Sequence, residues 1–256
     1  MENLINSERQ QKFSDEDIAI FKRYVEENNV YTENSFEFFE KNLDYFASRY
    51  TNDKFDCKAE QFHVNSNFWD SDEMSENVSL FEKFVIWRND TVHPEKSEYV
   101  VKEEKYLPIE SVPENIANIV RFLNRESLEL YSCIDLLFYA NGTIYQYLPH
   151  KNFLFTWNKN GKNIISRVSK ILSQDLTESF VIIPIFVPIR KMLFFGEYGY
   201  REALIDYGRV LAKIKNFSSK NSIYQKFNNT SMNREFHLDG VEKSIFSLIK
   251  CGKVQD

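Results

Sequence analysis

Glycine is scarce in this chain, with seven in 256 residues. Cysteine is scarcer still. Cys57, Cys133 and Cys251 are odd in number, far apart and form no C-x-x-C pattern. A disulfide framework and a cysteine zinc site are therefore not expected. Of the four histidines, His63, His93, His150 and His237, none lies at ligand spacing from another His, Asp or Glu. No metal is expected. Positive charge is in deficit, with a formal net charge of −6. That argues against a general phosphate-backbone binder, so no nucleic-acid partner is expected. No apolar run reaches the ~18 residues of a membrane helix. The opening "MENLINSERQQKFSDEDI" is polar and acidic, unlike a signal peptide. A soluble, cytoplasmic chain with no membrane partner is the expectation. There is no Walker A run, no G-x-G-x-x-G after a strand and no G-x-S-x-G elbow.

Apolar residues are plentiful, at 43%, and aromatics reach 16%. Such a chain can bury a sizeable core, and its length suits one large domain or two small ones. Helical spacing of Ile18, Phe21 and Val25, with Ser14 as cap, predicts a helix over 15–28. Phe36, Phe39, Leu43 and Phe46 predict a second over 34–50, with the aromatics read as packing. Residues 51–110 are mixed and charged and predict irregular chain. Ser111 and Glu114 have capping-box spacing, with Pro113 in the first turn, ahead of the apolar face Ile116, Ile119, Val120 and Leu123. Strands follow over 134–140 and 143–149, joined by the turn pair Asn141-Gly142, and then over 153–157. A helix over 163–176 carries Ile164, Val168, Ile171 and Leu172. "FVIIPIFVPI" (180–189) reads as a strand buried on both faces. Pro184 there calls for a bulge or a strand end, because it lacks a ladder donor. A helix over 199–215 and a strand over 244–250 close the chain. The class is α+β, a mixed or antiparallel sheet flanked by helices. The organisation expected is a helical N-terminal extension, 1–60, before a domain at 61–256.

Three of the seven glycines, Gly196, Gly199 and Gly208, fall within the run "FFGEYGYREALIDYG". Arg201 stands near the expected start of the 199–215 helix, where the macrodipole is positive. Two readings stand for it: a phosphate-binding arginine at a helix N-terminus, or a surface partner of Glu197 or Asp206.

The same run resembles the signature of the SagB/McbC-type dehydrogenases, a branch of the FMN-dependent nitroreductase-like family. The match covers Phe195, Gly196, Glu197, Gly199, Tyr200, Arg201, Ala203, Leu204, Asp206 and Gly208. "GTIYQYLPHKNFL" (142–154), "HLDGVEKSIFSLIKCGK" (237–253) and "FHVNSN" (62–67) resemble further, softer elements, so the likeness extends over roughly 60–253. It implies a nitroreductase-like fold, FMN as cofactor, and oxidation of azoline rings in ribosomally made peptides. It implies partners too: a homo- or heterodimer with a nitroreductase-like chain, a precursor peptide and other peptide-modifying subunits. Residue by residue, it places Arg125, Ser127, Gly199 and Arg201 at the cofactor, and Tyr198 or Tyr200 as stand-ins for a catalytic tyrosine.

The departures are chemical. Where the branch has Lys-Tyr before Gly-Glu, this chain has Phe194-Phe195, and a phenyl ring handles no proton. The family's Arg-x-Ser-x-Arg near the flavin phosphate keeps Arg125 and Ser127 but ends in Glu129, which repels a phosphate. The Pro-Ser-Gly-Gly stretch is not recognisable, and "NSIYQKFNNTSMN" (221–233) stands in place of a glycine-containing flavin loop. Architectural positions match and cofactor or proton-handling positions do not. The expectation is a degenerate subunit, a pseudoenzyme in a peptide-modification complex; the alternative is an active FMN-dependent dehydrogenase.

Overall fold

In the computed structural model the described residues are 62, 66, 72–91, 106–158, 161–177, 179–218 and 220–251. By its internal contacts the chain divides into two units, Met1–Cys57 and Lys58–Asp256. All described residues belong to the second. The helices expected over 15–28 and 34–50 lie outside them.

The chain is α+β, as its pattern implies. Helix α1 (Asp72–Thr91) is followed by strand β1 (Tyr106–Pro108), helix α2 (Glu114–Leu123), strands β2 (Ile134–Ala140), β3 (Thr143–Gln146) and β4 (Phe153–Asn158), and helix α3 (Gly161–Leu172). Then come β5 (Phe180–Phe186), α4 (Ile189–Phe217), β6 (Ser222–Tyr224), α5 (Asn229–Glu235) and β7 (Leu248–Cys251). The seven strands form one sheet in the order β1-β4-β3-β2-β5-β7-β6. Every described pairing is antiparallel.

The two central strands explain the three-layer packing. Successive side chains of a strand point to opposite faces. In β2, Leu136, Phe138 and Ala140 join a core with α2 and α4, while Leu137 and Tyr139 join a second core with α3 and α5. In β5, Phe180, Ile182 and Phe186 face the first core, and Val181, Ile183 and Ile185 the second. Burial on both faces is why "FVIIPIF" shows no polar alternation. Asn141 (φ 53°) and Gly142 (φ 83°) make the expected tight turn between β2 and β3.

Pro184 is accommodated on the side facing β7. Phe186 donates to the carbonyl of Ser244 on that side, at 2.7 Å. Strand alternation aims the missing donor of Pro184 the same way. The β5–β7 ladder runs from Phe180 to Ile182 and resumes only as the isolated Phe186–Ser244 bridge. The proline therefore falls in a gap of the ladder, and β5 stops at Phe186 rather than at 189.

Four local expectations are corrected. Residues 72–91 form a twenty-residue helix rather than irregular chain. Its apolar side chains do not share one face: Phe81 and Val85 are buried, whereas Leu80, Ile86 and Trp87 are exposed. The anticipated capping box is absent, since Pro113 occupies the N-cap of α2 with no side-chain cap and Ser111 ends a preceding 3₁₀ turn. The apolar face of α2 is buried as expected. The last strand is Leu248–Cys251, since Ser244 makes only the isolated bridge. The signature helix begins at Ile189, ten residues before the expected 199, and bends at Gly196.

Candidate functional site

The signature run folds around that bend. Gly196 has φ 55° and ψ −134°, a backbone state outside the helical region and open to glycine. The bend brings the start of α4 against its continuation. A Cβ on Gly199 would lie 2.6 Å from the carbonyl carbon and oxygen of Lys191. No side chain fits there, so Gly199 is set by backbone-to-backbone approach within α4.

Phe194 and Phe195, which stand where the resemblance places a Lys-Tyr pair, are packing residues. The Phe81 ring of α1 lies 5.4 Å from each of them, at edge-on angles of 66° and 68°. Phe84 lies 5.2 Å from Phe194 and 6.1 Å from Trp87. These are ordinary aromatic-pair geometries. The bend thus seats an aromatic cluster shared by α1 and α4.

Below the cluster sits a buried ion pair. Lys191 Nζ donates to Asp206 Oδ2 at 2.5 Å, and both side chains are 6% exposed. Arg209 adds a donor to Asp206 Oδ1 at 3.1 Å. Asp206 therefore serves as counter-ion to Lys191, an internal role that its place in the signature did not disclose. Next to this pair is a pocket of about 130 Å³ lined by Ser127, Glu129, Leu130, Lys191, Glu202 and Arg209 together with Asp206.

Of the residues singled out from the sequence, Ser127 lies in this pocket. Arg125 is exposed on the turn after α2. Arg201 points elsewhere: its Nη1 donates to the carbonyl of Ser66 at 3.4 Å. It lies on the second turn past the bend rather than in a first turn, so the helix-terminus premise of its phosphate reading is not met by the backbone. Tyr200 is half-buried between Phe62 and Phe186, with ring centroids at 5.6 and 5.7 Å. The Tyr198 phenol is pushed above its ordinary value by burial and by the neighbouring Glu202 carboxylate. That shift moves it away from the range useful for proton transfer near neutrality.

Does the Ser127 pocket fit a flavin phosphate? Three carboxylates, Glu129, Glu202 and Asp206, line it, and its Lys191 and Arg209 both hold Asp206. A phosphate dianion there would meet two carboxylates beyond the one that is neutralised, with both cations of the lining already engaged. The donors that line this pocket do not fit the phosphate.

A second charged cluster escaped the sequence reading. Arg190 grips Asp135 of β2 in a bidentate pair, 2.8 and 2.7 Å, and Arg88 of α1 adds a 3.3 Å contact. Although burial works against it, the Arg190 and Arg88 guanidiniums hold the Asp135 carboxyl below its usual range. Burial, with Arg190 beside it, lowers Arg88 from its ordinary value. The only sequence cue was a polar Asp135 in an otherwise apolar strand. Among the described residues no three His, Cys, Asp or Glu side chains are grouped to hold a metal. No described helix is long and apolar enough to cross a membrane.

No protein-family model matches the chain, and no curated protein matches it significantly. Among solved structures it is similar to a protein of Anabaena variabilis classed as a nitroreductase, at 13% identity and a TM-score of 0.45. That match covers 66% of this chain and 45% of the other. It is also similar to a chain of the E. coli microcin synthetase McbBCD complex with truncated pro-MccB17 bound. There the identity is 19% and the TM-score 0.44, covering 87% of this chain and all of that one. A third likeness, to a protein of Ralstonia eutropha classed as a nitroreductase, has 11% identity and a TM-score of 0.36. It covers 48% of this chain and 59% of the other.

Proposed function

We propose that this chain is a nitroreductase-like subunit without flavin chemistry, acting in a complex that matures a ribosomally made peptide beside an FMN-bearing partner chain. The peptide-maturation part rests on the signature resemblance over Phe195–Gly208. One observation carries the flavin-free part. The Ser127 pocket faces Glu129 and Glu202, while its cations Lys191 and Arg209 are paired with Asp206. The aromatic seating of Phe194 and Phe195 agrees, since those positions then serve packing and move no proton.

A second reading, an active FMN-dependent dehydrogenase, has one observation in its favour. Arg125 and Ser127 are exposed, and among the described residues their side chains have no hydrogen-bond or ion-pair partner. In that reading Arg125, Ser127, Gly199 and Arg201 hold the phosphate end, and Tyr198 or Tyr200 handles the proton. FMN, when bound, would supply the redox chemistry.

The test is the colour of the purified full chain and its titration with FMN. A colourless protein that takes up no added FMN is the expected result. Stoichiometric flavin absorbance, lost on Arg201→Ala, overturns the proposal and supports the second reading.

A further inference from the structure

A pocket of about 510 Å³ lies between α5 and the segment leading to β7. Small-molecule sites commonly fall in this size range. Its floor is fixed. The buried amide of Asn233 donates to Ser244 Oγ at 3.3 Å and accepts from the Ile245 N–H at 2.8 Å, tying α5 to the opposite wall. The wall itself is pinned from within. Asp239 Oδ1 accepts from the N–H groups of Val241, Glu242 and Lys243 at 2.7, 2.8 and 3.1 Å. Gly240 N donates to the Lys243 carbonyl at 3.0 Å. A pocket whose walls are held before binding loses less freedom when a ligand enters.

The lining is rich in unused donors. Among the described residues the side chains of Arg234, His237 and Thr230 face the pocket without a hydrogen-bond or ion-pair partner. Its one carboxylate, Asp239, has an oxygen engaged by three backbone N–H groups, so part of its charge is compensated within its own loop. Half-buried Phe246 and Leu238 supply apolar surface beside these donors. A guanidinium offers a planar fork that suits an oxyanion.

We propose that this pocket binds a small ligand carrying an oxyanion, a phosphate or a carboxylate, on a planar apolar body. Arg234 takes the oxyanion with His237 and Thr230 as additional donors, and the apolar body lies against Phe246. The proposal stands whether or not the chain carries flavin.

The experiment is calorimetric titration of the full chain with phenyl phosphate, with hippurate and with neutral benzamide. At least one charged probe should bind saturably at one per chain, with benzamide about tenfold weaker or worse. Tighter phenyl phosphate identifies a phosphate ligand and tighter hippurate a carboxylate, and either supports the site. Arg234→Gln, at an exposed position, should leave the circular dichroism spectrum unchanged and weaken the better probe about tenfold. Thr230→Val should weaken it by a smaller factor. Equal affinity for benzamide, unchanged affinity in Arg234→Gln, or no saturable binding of any probe overturns the proposal.

Discussion

Replacing single glycines of the signature run by alanine should give opposite results a short distance apart. At Gly199 the new Cβ would sit 2.6 Å from the Lys191 carbonyl carbon and oxygen and 2.9 Å from Met192 N. Ordinary contact begins at 3.4 Å, so the two strands of backbone must part by about 0.8 Å (3.4 less 2.6). Backbone cannot yield as a flexible side chain does. Overpacking of this kind costs roughly 3 kcal/mol at its upper end, and the better helix propensity of alanine returns about 1 kcal/mol. Gly199→Ala should therefore lose about 2 kcal/mol. Gly208 lies on the exposed face of the same helix, and a methyl group added there would meet nothing within 4 Å. There only the propensity gain remains, and Gly208→Ala should be stabilised by about 0.5–1 kcal/mol. Urea unfolding followed by circular dichroism reads both. In thermal unfolding of a chain of this size the two melting temperatures should lie on opposite sides of wild type, about 4–8 °C below and 1–4 °C above. A Gly199→Ala protein as stable as wild type would refute the close approach of the two halves of α4.

Three further outcomes follow from the charged and polar clusters. Asp135→Asn removes the carboxylate that Arg190 grips at 2.7 and 2.8 Å and leaves that largely buried guanidinium uncompensated, which should cost about 3–5 kcal/mol in urea unfolding. Because the Asp135 carboxyl is held below its ordinary value, its contribution is present above about pH 4 and is lost as pH falls through the lower folded value. The acid limb of stability against pH should accordingly be shallower in Asp135→Asn, and an unchanged limb would refute that source. Glu129→Arg places a cation beside Ser127 and should raise FMN affinity at least about tenfold over the parent chain by fluorescence quenching. No gain would place the repulsion elsewhere. Asn124→Ala strips the acceptor used by the Tyr147 hydroxyl at 2.7 Å and by the His150 N–H at 2.9 Å, and thermal unfolding should register a loss of about 1–3 kcal/mol.

What the sequence disclosed follows from what leaves a periodic trace. The face of α2, the β2–β3 hairpin and the doubly buried β5 were all legible, because the first repeats at 3.6 residues, the second carries a turn pair of fixed chemistry and the third is a short unbroken apolar run. Helix α1 was not legible. Phe81 and Val85 point inward, but Leu80, Ile86 and Trp87 point out, and this scatter erases the stripe by which a helix is recognised. The early start of α4 was hidden for another reason: Gly196 reads as a stop, yet the chain re-enters helix one residue later. Charged contacts are legible least. Lys191 and Asp206 are 15 positions apart, and Asp135 and Arg190 are 55 apart, so only the fold could join them. Ser127 was picked by motif and does line a pocket, while Arg201 from the same resemblance makes its contact with Ser66.

The aromatic cluster and the buried ion pair belong together physically. Phe81 of α1 lies against Phe194 and Phe195, and the Lys191 ammonium sits 5.6 Å from the centre of the same Phe81 ring. An ammonium that is 6% exposed persists only with a counter-charge, which Asp206 supplies, and gains further from the ring face. Suppose Phe194 carried a lysine, as the resemblance would have it. A second ammonium would then enter next to Phe81 and Phe84, with Asp206 already shared by Lys191 and Arg209. It would be desolvated without a partner or would have to swing out, opening the contact between α1 and α4. A tyrosine at 195 would bring its hydroxyl toward the same rings. Phe194 and Phe195 therefore serve the aromatic α1–α4 contact, and Phe194→Lys should loosen α1 before it confers any chemistry.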